Sequence, residues 1–123
     1  MENDEPEKIK TIIKDSNLGK RLEKIKKSET MYIKSGGEHI PIASTINIGR
    51  DKTNEVYIDD KMVSRKHAMI QKIKNAYFIK DLGSTNGTYV NEKQIPEAKY
   101  IRLQINDVIR IGRTELVIRQ FIE

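Results

Sequence analysis

Short stretches of alternating apolar and polar residues fill the chain from Thr30 onward. Pairs such as Ile46/Ile48 and Leu116/Ile118 place two apolar side chains on one face of an extended segment, because successive strand residues point to opposite faces. The pattern predicts strands at 30–35, 39–42, 45–49, 55–58, 67–72, 76–82, 88–90, 107–111 and 114–121. No helical segment interrupts them, so we expect an all-β fold, an antiparallel β-sandwich in preference to a barrel.

Three dipeptides between these strands predict hairpin turns with a positive φ: Gly36-Gly37, Lys74-Asn75 and Gly112-Arg113. The residues from 30 to 123 are numerous enough to enclose one hydrophobic core. The sequence therefore predicts one β domain at 30–123.

Residues 1–29 have a different pattern. Apolar residues there follow helical spacing in two narrow stripes: Ile9, Ile12 and Ile13, then Leu18, Leu22 and Ile25. Lysine and glutamate occupy the remaining faces. We expect 1–29 to be a short polar arm, helical or flexible. An arm that docks on a partner is the alternative.

Composition excludes several kinds of protein. The longest unbroken apolar run, 76–79, is far shorter than the roughly 20 residues of a membrane-spanning helix, and it is too short for a secretory signal. The chain has no cysteine and only two histidines, so it offers no disulfide and little for a metal site. We expect a cytoplasmic protein without membrane association, metal or cofactor.

The net charge of +5 raises the possibility of nucleic-acid binding. Acidic residues are interspersed with the basic ones, however, and tryptophan and arginine-rich tracts are absent. Nucleic-acid binding is therefore the third-ranked function, and we expect no nucleic-acid partner.

Three predicted loops carry polar groups that turns do not require. Arg50 follows the strand at 45–49, Ser64 and Arg65 lie in the loop at 59–66, and Thr85 and Asn86 lie in the loop at 81–88. Phosphate monoesters carry about −1.5 to −2 charges and three acceptor oxygens, which suit a guanidinium and hydroxyl groups. A carboxamide can clamp a peptide bond. If the parent strands are neighbours, these groups converge on a phosphorylated peptide.

These motifs resemble the forkhead-associated (FHA) domain. The resemblance rests on three segments in order, and it extends from about Met31 to Phe121: Gly49-Arg50, Ser64-Arg65-Lys66-His67, and Asp81 with Ser84-Thr85-Asn86-Gly87-Thr88 and Asn91. It implies an eleven-stranded β-sandwich that binds phosphothreonine peptides through loops at one end. The arm at 1–29 lies outside the resemblance.

The resemblance also implies roles for single residues. Arg50, Ser64 and Thr85 match positions that contact the phosphate, whereas Arg65 and Asn86 match positions that hold the peptide main chain. Gly49, His67 and Gly87 match supporting positions. Met62 is a candidate for contacting a peptide residue beyond the phosphothreonine.

Other interpretations of the same residues remain open at this point. Asn86-Gly87 is a common hairpin signal. The segment 83–87 is glycine-rich like a nucleotide-phosphate loop, but Thr88 stands where that motif needs lysine. Ser64, His67 and Asp81 contain the residue types of a hydrolase triad, although no nucleophile-elbow motif surrounds the serine.

The spelling Ile-x-Ile-Gly-Arg occurs twice, at 46–50 and at 109–113. Only the first copy is followed by a loop and the Ser-x-x-His segment. We therefore assign the phosphate to Arg50 and expect Arg113 to lie on the surface beside a tight hairpin.

The expected function is phosphothreonine-dependent binding in Ser/Thr kinase signalling, by a non-catalytic and monomeric protein. Its partner would be a phosphothreonine protein, namely a kinase or a kinase substrate. A phosphate-independent interaction or scaffold domain is the alternative. Thr11 and Thr30 are candidate phosphorylation sites, through which the domain could bind its own arm or a neighbour's.

Overall fold

The computed structural model of the protein describes residues 10–13 and 30–121, and within these ranges the chain forms strands and loops. The strands are β1 (Lys10–Ile13), β2 (Met31–Ser35), β3 (Glu38–Pro41), β4 (Thr45–Gly49), β5 (Val56–Asp59), β6 (Ala68–Ile73), β7 (Ala76–Asp81), β8 (Thr88–Val90), β9 (Lys93–Gln94), β10 (Tyr100–Leu103), β11 (Val108–Ile111) and β12 (Thr114–Gln120).

These strands form two six-stranded sheets. The order is β1-β5-β4-β6-β7-β10 in the first sheet and β3-β2-β12-β11-β8-β9 in the second. The β-sandwich expected from the alternating pattern is confirmed, with eleven strands from β2 to β12. Neighbouring strands are antiparallel except for β4 and β5, which run parallel and make the first sheet mixed.

The hydrophobic core is dominated by isoleucine. Among residues 30–121, twelve of its eighteen buried hydrophobic residues are isoleucine, contributed by strands of both sheets and by connecting segments. A β-branched side chain has few χ1 rotamers and packs well on a pleated surface, which explains why this composition forms strands. Alternation is clearest in β12, where Leu116 and Ile118 are buried and Glu115 is exposed.

Strand register brings the important loops to one end of the sandwich. Ala68 at the start of β6 pairs with Ile48 near the end of β4 and with Asp81 at the end of β7. In the second sheet Thr88 pairs with Ile111. The Thr88 hydroxyl donates a 2.6 Å hydrogen bond to the Asp81 carboxylate, which joins the two sheets at this end.

The helical interpretation of the arm is wrong for the four arm residues that the structure describes. Lys10–Ile13 forms β1, which pairs antiparallel with β5 from Lys10 opposite Asp59 to Ile13 opposite Val56. The edge of β5 offers unpaired backbone groups to an extended segment, and Thr11, Ile12 and Ile13 are all β-branched. The remainder of the arm, with the Leu18/Leu22/Ile25 stripe, lies outside the described residues.

All nine predicted strands are present, whereas β9 and β10 were missed. The two-residue β9 depends on its pairing with β8, and β10 pairs with β7 at the edge of the first sheet. The predicted turns are confirmed by positive φ angles at Gly36, Lys74 and Gly112.

In 10–13 and 30–121 there is no helix long and apolar enough to cross a membrane. The same residues contain no group of three or more His, Cys, Asp or Glu placed to hold a metal ion.

Candidate functional site

An open cleft of about 370 Å³ lies at the end of the sandwich where the three polar loops meet. The loop at 60–66, between β5 and β6, supplies most of its lining and is called the recognition loop here. The cleft residues are Arg50, Lys61, Met62, Val63, Ser64, Arg65, Thr85 and Asn86. Every residue predicted to contact phosphate or peptide therefore lies in one cleft.

Arg50 is held against the recognition loop at both its backbone and its side chain. Its backbone N–H donates to the Ser64 carbonyl at 2.9 Å, and its side-chain Nε donates to the Val63 carbonyl at 2.9 Å. No hydrogen bond from residues 30–121 engages its two terminal guanidinium nitrogens. The guanidinium is thus oriented by the protein while its paired donors stay available to an anion.

Ser64 and Thr85 link the second and third loops. The Thr85 backbone N–H donates to the Ser64 hydroxyl oxygen at 3.0 Å. Since that oxygen acts as the acceptor, the hydroxyl proton of Ser64 can be donated to a ligand. Two loops that are 21 residues apart in sequence are joined directly beside Arg50.

The buried side chain of His67 also connects these two loops. It is fully buried, and its Nδ1 accepts a 3.0 Å hydrogen bond from the Ser64 backbone N–H. Nδ1 must therefore be unprotonated, so Nε2 carries the hydrogen and donates to the Gly87 carbonyl at 2.9 Å. Burial is the main cause that lowers the pKa of His67, and the hydrogen bond to Gly87 opposes it only in part.

This arrangement removes the basis for a catalytic triad. His67 receives the backbone N–H of Ser64, and both ring nitrogens are occupied by backbone groups. The Asp81 carboxylate binds Ser84 and Thr88. A nucleophile needs a base that contacts its hydroxyl and a third group that orients the base, and these residues form neither contact.

Asp81 organises the third loop. Its carboxylate accepts hydrogen bonds from the backbone N–H groups of Gly83 and Ser84 at 3.0 Å and from the hydroxyls of Ser84 and Thr88 at 2.6 Å. Burial by itself raises the pKa of Asp81, but the hydrogen bonds from Ser84, Thr88 and Gly83 outweigh it and hold the pKa below its usual range. The loop that carries Thr85 and Asn86 is therefore built around a charged carboxylate.

Asn86 is exposed, and its amide nitrogen donates to the Met62 carbonyl at 2.8 Å. Gly87 follows with φ +87°, and an added Cβ would lie 2.6 Å from Nε2 of Gln94. Glycine is favoured here because the backbone is left-handed, whereas the tip of the exposed Gln94 side chain can move aside. Met62 is 48% exposed at the rim of the cleft.

Asn54 is a buried residue that the sequence analysis missed. Its side-chain Nδ2 donates to the carbonyl oxygens of Asp51 and Arg65, both at 2.8 Å. Gly49 packs against the Arg65 carbonyl and the Asn54 side-chain nitrogen, and a Cβ there would overlap the Arg65 carbonyl oxygen. A polar residue directly before the predicted strand at 55–58 was the available signal.

Asp60 was also missed, and it changes the interpretation of Arg113. Asp60 is buried, and its carboxylate accepts a 3.1 Å hydrogen bond from the Arg113 backbone N–H. The Arg113 side chain is 65% exposed, as predicted. The hairpin to which Arg113 belongs nevertheless contacts the recognition loop.

The two candidate phosphorylation sites lie in different environments. Thr11 is in β1 and pairs with Ile58. Thr30 is only 1% exposed, and its carbonyl accepts a backbone hydrogen bond from Phe121. A kinase needs access to the hydroxyl, which burial denies at Thr30, and phosphorylation of Thr11 stays a prediction.

The cleft is strongly cationic. Of the eight described residues that line it, Arg50, Lys61 and Arg65 are basic and none is acidic. Such a lining, with hydroxyl and carboxamide groups beside it, suits an anionic ligand that also has a peptide backbone.

The structure is thus a two-sheet β-sandwich with a cationic cleft between loops at one end. The family model described as the FHA domain matches residues 46–112, which is more than half of the chain. The chain belongs to the FHA family.

Among curated proteins, the chain is 38% identical over 69 residues to the glycogen accumulation regulator GarA of Mycobacterium tuberculosis, covering 56% of this chain and 41% of that protein. It is 38% identical over 73 residues to an oxoglutarate dehydrogenase inhibitor of Corynebacterium efficiens, covering 59% and 49%. The chain spans between about a fifth and just over half of the length of the curated relatives it matches.

Solved structures give the same family. Mycobacterium tuberculosis EmbR in complex with a low-affinity phosphopeptide superposes with a TM-score of 0.70 and 31% identity, covering 76% of this chain and 25% of that one. An FHA domain studied for phosphothreonine-dependent interactions superposes with a TM-score of 0.68 and 28% identity, covering 76% and 99%.

Proposed function

We propose that this FHA domain binds phosphothreonine peptides of partner proteins in Ser/Thr kinase signalling and catalyses no reaction. The observation that carries the proposal is the convergence of Arg50, Ser64 and Thr85 in one cleft whose described lining contains no acid. The relatives add support, since EmbR is solved with a phosphopeptide.

The phosphate contacts follow from the hydrogen bonds already made. Arg50 directs two terminal nitrogens to the phosphate because its Nε is engaged by Val63. Ser64 donates its hydroxyl proton to a second oxygen, and the Thr85 hydroxyl contacts a third. These charge-assisted hydrogen bonds are the strongest interactions that the cleft can offer.

Arg65 and Asn86 hold the peptide main chain on either side of the phosphothreonine. Asn86 uses one amide hydrogen for the Met62 carbonyl, which leaves its carbonyl oxygen and a second hydrogen for a peptide group. Met62 then contacts a side chain of the peptide beyond the phosphothreonine.

The affinity should be micromolar. Each charge-assisted hydrogen bond contributes about 1.5–3 kcal/mol, but desolvating the dianion and ordering the peptide offset most of the sum. A dissociation constant near 1 μM corresponds to about −8 kcal/mol.

The absence of catalysis is consistent with the curated relatives, which are named as a regulator and an inhibitor. We place the protein in the cytoplasm, acting as a monomer without a cofactor. Its partner is a Ser/Thr kinase or a kinase substrate that carries phosphothreonine. If Thr11 is phosphorylated, it competes for the same cleft, and this requires β1 to leave β5.

The test uses an oriented phosphothreonine library to select a peptide, followed by calorimetry with its phosphothreonine, phosphoserine and unphosphorylated forms. We expect the phosphothreonine form to bind tightest and the unphosphorylated form to show no binding. Arg50→Ala should abolish binding. Arg113→Ala, in the other copy of the Ile-x-Ile-Gly-Arg motif, is the comparison variant and should retain phosphothreonine-dependent binding.

Equal binding of the phosphorylated and unphosphorylated forms would favour the scaffold alternative. Full affinity in the Arg50→Ala variant would overturn the assignment of the phosphate to this cleft.

A further inference from the structure

The hairpin between β11 and β12 packs against the base of the recognition loop, although the two belong to different sheets. The contact is made at Gly112 and Arg113, the end of the second Ile-x-Ile-Gly-Arg copy. Nothing in the phosphate contacts described above requires this hairpin.

Asp60 makes the connection. It is 3% exposed, and one carboxylate oxygen accepts the Met62 backbone N–H at 3.0 Å while the other accepts the Arg113 backbone N–H at 3.1 Å. The Arg113 guanidinium lies 3.8 Å from the first oxygen. A single buried carboxylate thus binds the recognition loop on one side and the hairpin on the other.

Gly112 permits this close approach. Its φ is +62°, and an added Cβ would lie 2.5 Å from the Asp60 carboxylate and 2.7 Å from Cγ2 of Val63. A larger residue would strain the backbone and push the recognition loop away from the hairpin.

The residues immediately after Asp60 receive the ligand-binding side chains. The Met62 carbonyl accepts from Asn86, and the Val63 carbonyl accepts from Nε of Arg50. The Val63 N–H in turn donates to the Asp60 carbonyl at 2.9 Å. Any shift of this backbone therefore moves Arg50 and Asn86 together.

We propose that Asp60 is a positioning residue for phosphopeptide binding, and that the Gly112-Arg113 hairpin is the support against which it holds the recognition loop. The second Ile-x-Ile-Gly-Arg copy, at 109–113, then serves to hold the recognition loop, and that loop contacts Arg50 of the first copy. This inference rests on the proposed function, because the effect is read in the same cleft.

A purely structural role for Asp60 would lower stability without a specific effect on the cleft. The Ile33→Val variant controls for this, because Ile33 is fully buried in β2 of the second sheet, whereas the recognition loop connects β5 and β6 of the first. Affinities for the selected phosphothreonine peptide are compared in the chain of residues 1–123, at a temperature where circular dichroism shows each variant to be folded.

Removing the carboxylate leaves two backbone N–H groups without acceptors, so Asp60→Ala should weaken binding by about ten-fold or more. Asp60→Asn keeps one acceptor oxygen and should fall between Asp60→Ala and the wild type. Ile33→Val should stay within about two-fold of the wild type.

Amide hydrogen exchange supplies a readout that does not depend on the peptide. Exchange at residues 62–65 and 113 should accelerate in Asp60→Ala and Asp60→Asn relative to Ile33→Val. If the wild type binds no phosphothreonine peptide, the proposed function fails, and this exchange pattern still decides whether Asp60 holds the loop.

Two results would overturn the positioning role. One is peptide affinity in Asp60→Asn that equals the wild type. The other is exchange in the recognition loop that rises no more in the Asp60 variants than in Ile33→Val. If Asp60→Ala does not fold, Asp60→Asn carries both measurements.

Discussion

At the scale of single residues, the side chains proposed to contact the ligand are already engaged by the protein. Arg50 binds the Val63 carbonyl, Asn86 binds the Met62 carbonyl, and the Ser64 hydroxyl accepts from Thr85. Each of these side chains keeps further donors or acceptors for a ligand. Because the side chains are ordered before binding, the entropic cost of forming the complex is smaller.

Gly49 leads to the first prediction at this scale. In Gly49→Ala the new methyl group overlaps the Arg65 carbonyl oxygen and contacts the Asn54 amide nitrogen. We expect a loss of about 1–3 kcal/mol in the free energy of unfolding, together with weaker phosphopeptide binding because Arg65 must move. Urea denaturation and calorimetry measure the two effects.

The matched control is Gly37→Ala, since nothing lies within 4 Å of a Cβ at Gly37. Its free energy of unfolding should change by no more than about 0.5 kcal/mol. Equal effects of the two substitutions would contradict the close packing at Gly49.

His67 gives a prediction about pH. Its pKa in the folded protein is lowered, mainly by burial, so the unfolded chain, with a histidine pKa near 6.5, binds the proton more readily. The stability that neutral His67 provides is therefore complete above about pH 6.5 and is lost as the pH falls through the lowered folded value. Protonation would place a hydrogen on Nδ1 against the Ser64 N–H.

The measurement is denaturation from pH 7.5 to 5 in a His39→Gln background, which leaves His67 as the only histidine of the chain. We expect the free energy of unfolding to decrease toward pH 5. A constant value across this range would mean that folding does not change the protonation of His67.

At the scale of elements, the site is assembled from the ends of strands. β4, β6, β7 and β8 all begin or end at the same end of the sandwich. There the hydrogen bond from Thr88 to Asp81 joins the two sheets. The loops need little regular structure of their own because buried carboxylates, amides and an imidazole hold them. Function sits on loops that a rigid scaffold positions.

Asp81→Ala tests this organisation. The substitution removes the buried carboxylate that accepts four hydrogen bonds. Because four donors then lose their acceptor, we expect a loss of about 2–4 kcal/mol in the free energy of unfolding. Phosphopeptide binding should also weaken, because Thr85 and Asn86 lie on the released loop. Asp59→Ala, at an exposed position of β5, should change stability little, and a comparable loss there would argue against a special role for Asp81.

At the scale of the whole molecule, charge is distributed so that the cleft is cationic while the rest of the surface carries both signs. The net charge is only +5, yet the described lining of the cleft has three cations and no acid. Attraction of the phosphopeptide is therefore local and should be weakened by salt.

We expect the dissociation constant to rise roughly three- to ten-fold between 50 and 500 mM NaCl, because the screening length falls well below the cleft dimensions. Lys61→Gln should reduce this dependence. Lys74→Gln is the control, since Lys74 lies in the β6–β7 turn at the far end of β6 from the cleft. An affinity that does not respond to salt would contradict the electrostatic contribution.

Some strands of this protein could be predicted from the sequence and others could not. Nine strands followed from alternating residues and turn dipeptides, because burial on one face of a sheet imposes a period of two. β9 could not be predicted, since two exposed residues become a strand only by pairing with β8. The arm residues 10–13 were read as helix because β-branched residues at i, i+3 and i+4 satisfy either pattern locally, and an available sheet edge decides for the strand.

The candidate site shows the same division. Arg50, Ser64, Thr85 and Asn86 could be singled out because ligand-binding groups on loops have residue types that turns do not need. Asn54 and Asp60 could not, because a buried polar residue has meaning only through the carbonyls and amides that surround it.

Sequence by itself determined the fold class, the loops that bear the ligand-binding groups and their chemistry, since these depend on local periodicity and residue type. Only the tertiary structure decided that three loops and the hairpin of the opposite sheet meet at one end, and which buried groups hold them there. Those contacts join residues up to 53 positions apart, and no local pattern records a hydrogen bond between groups that folding alone brings together.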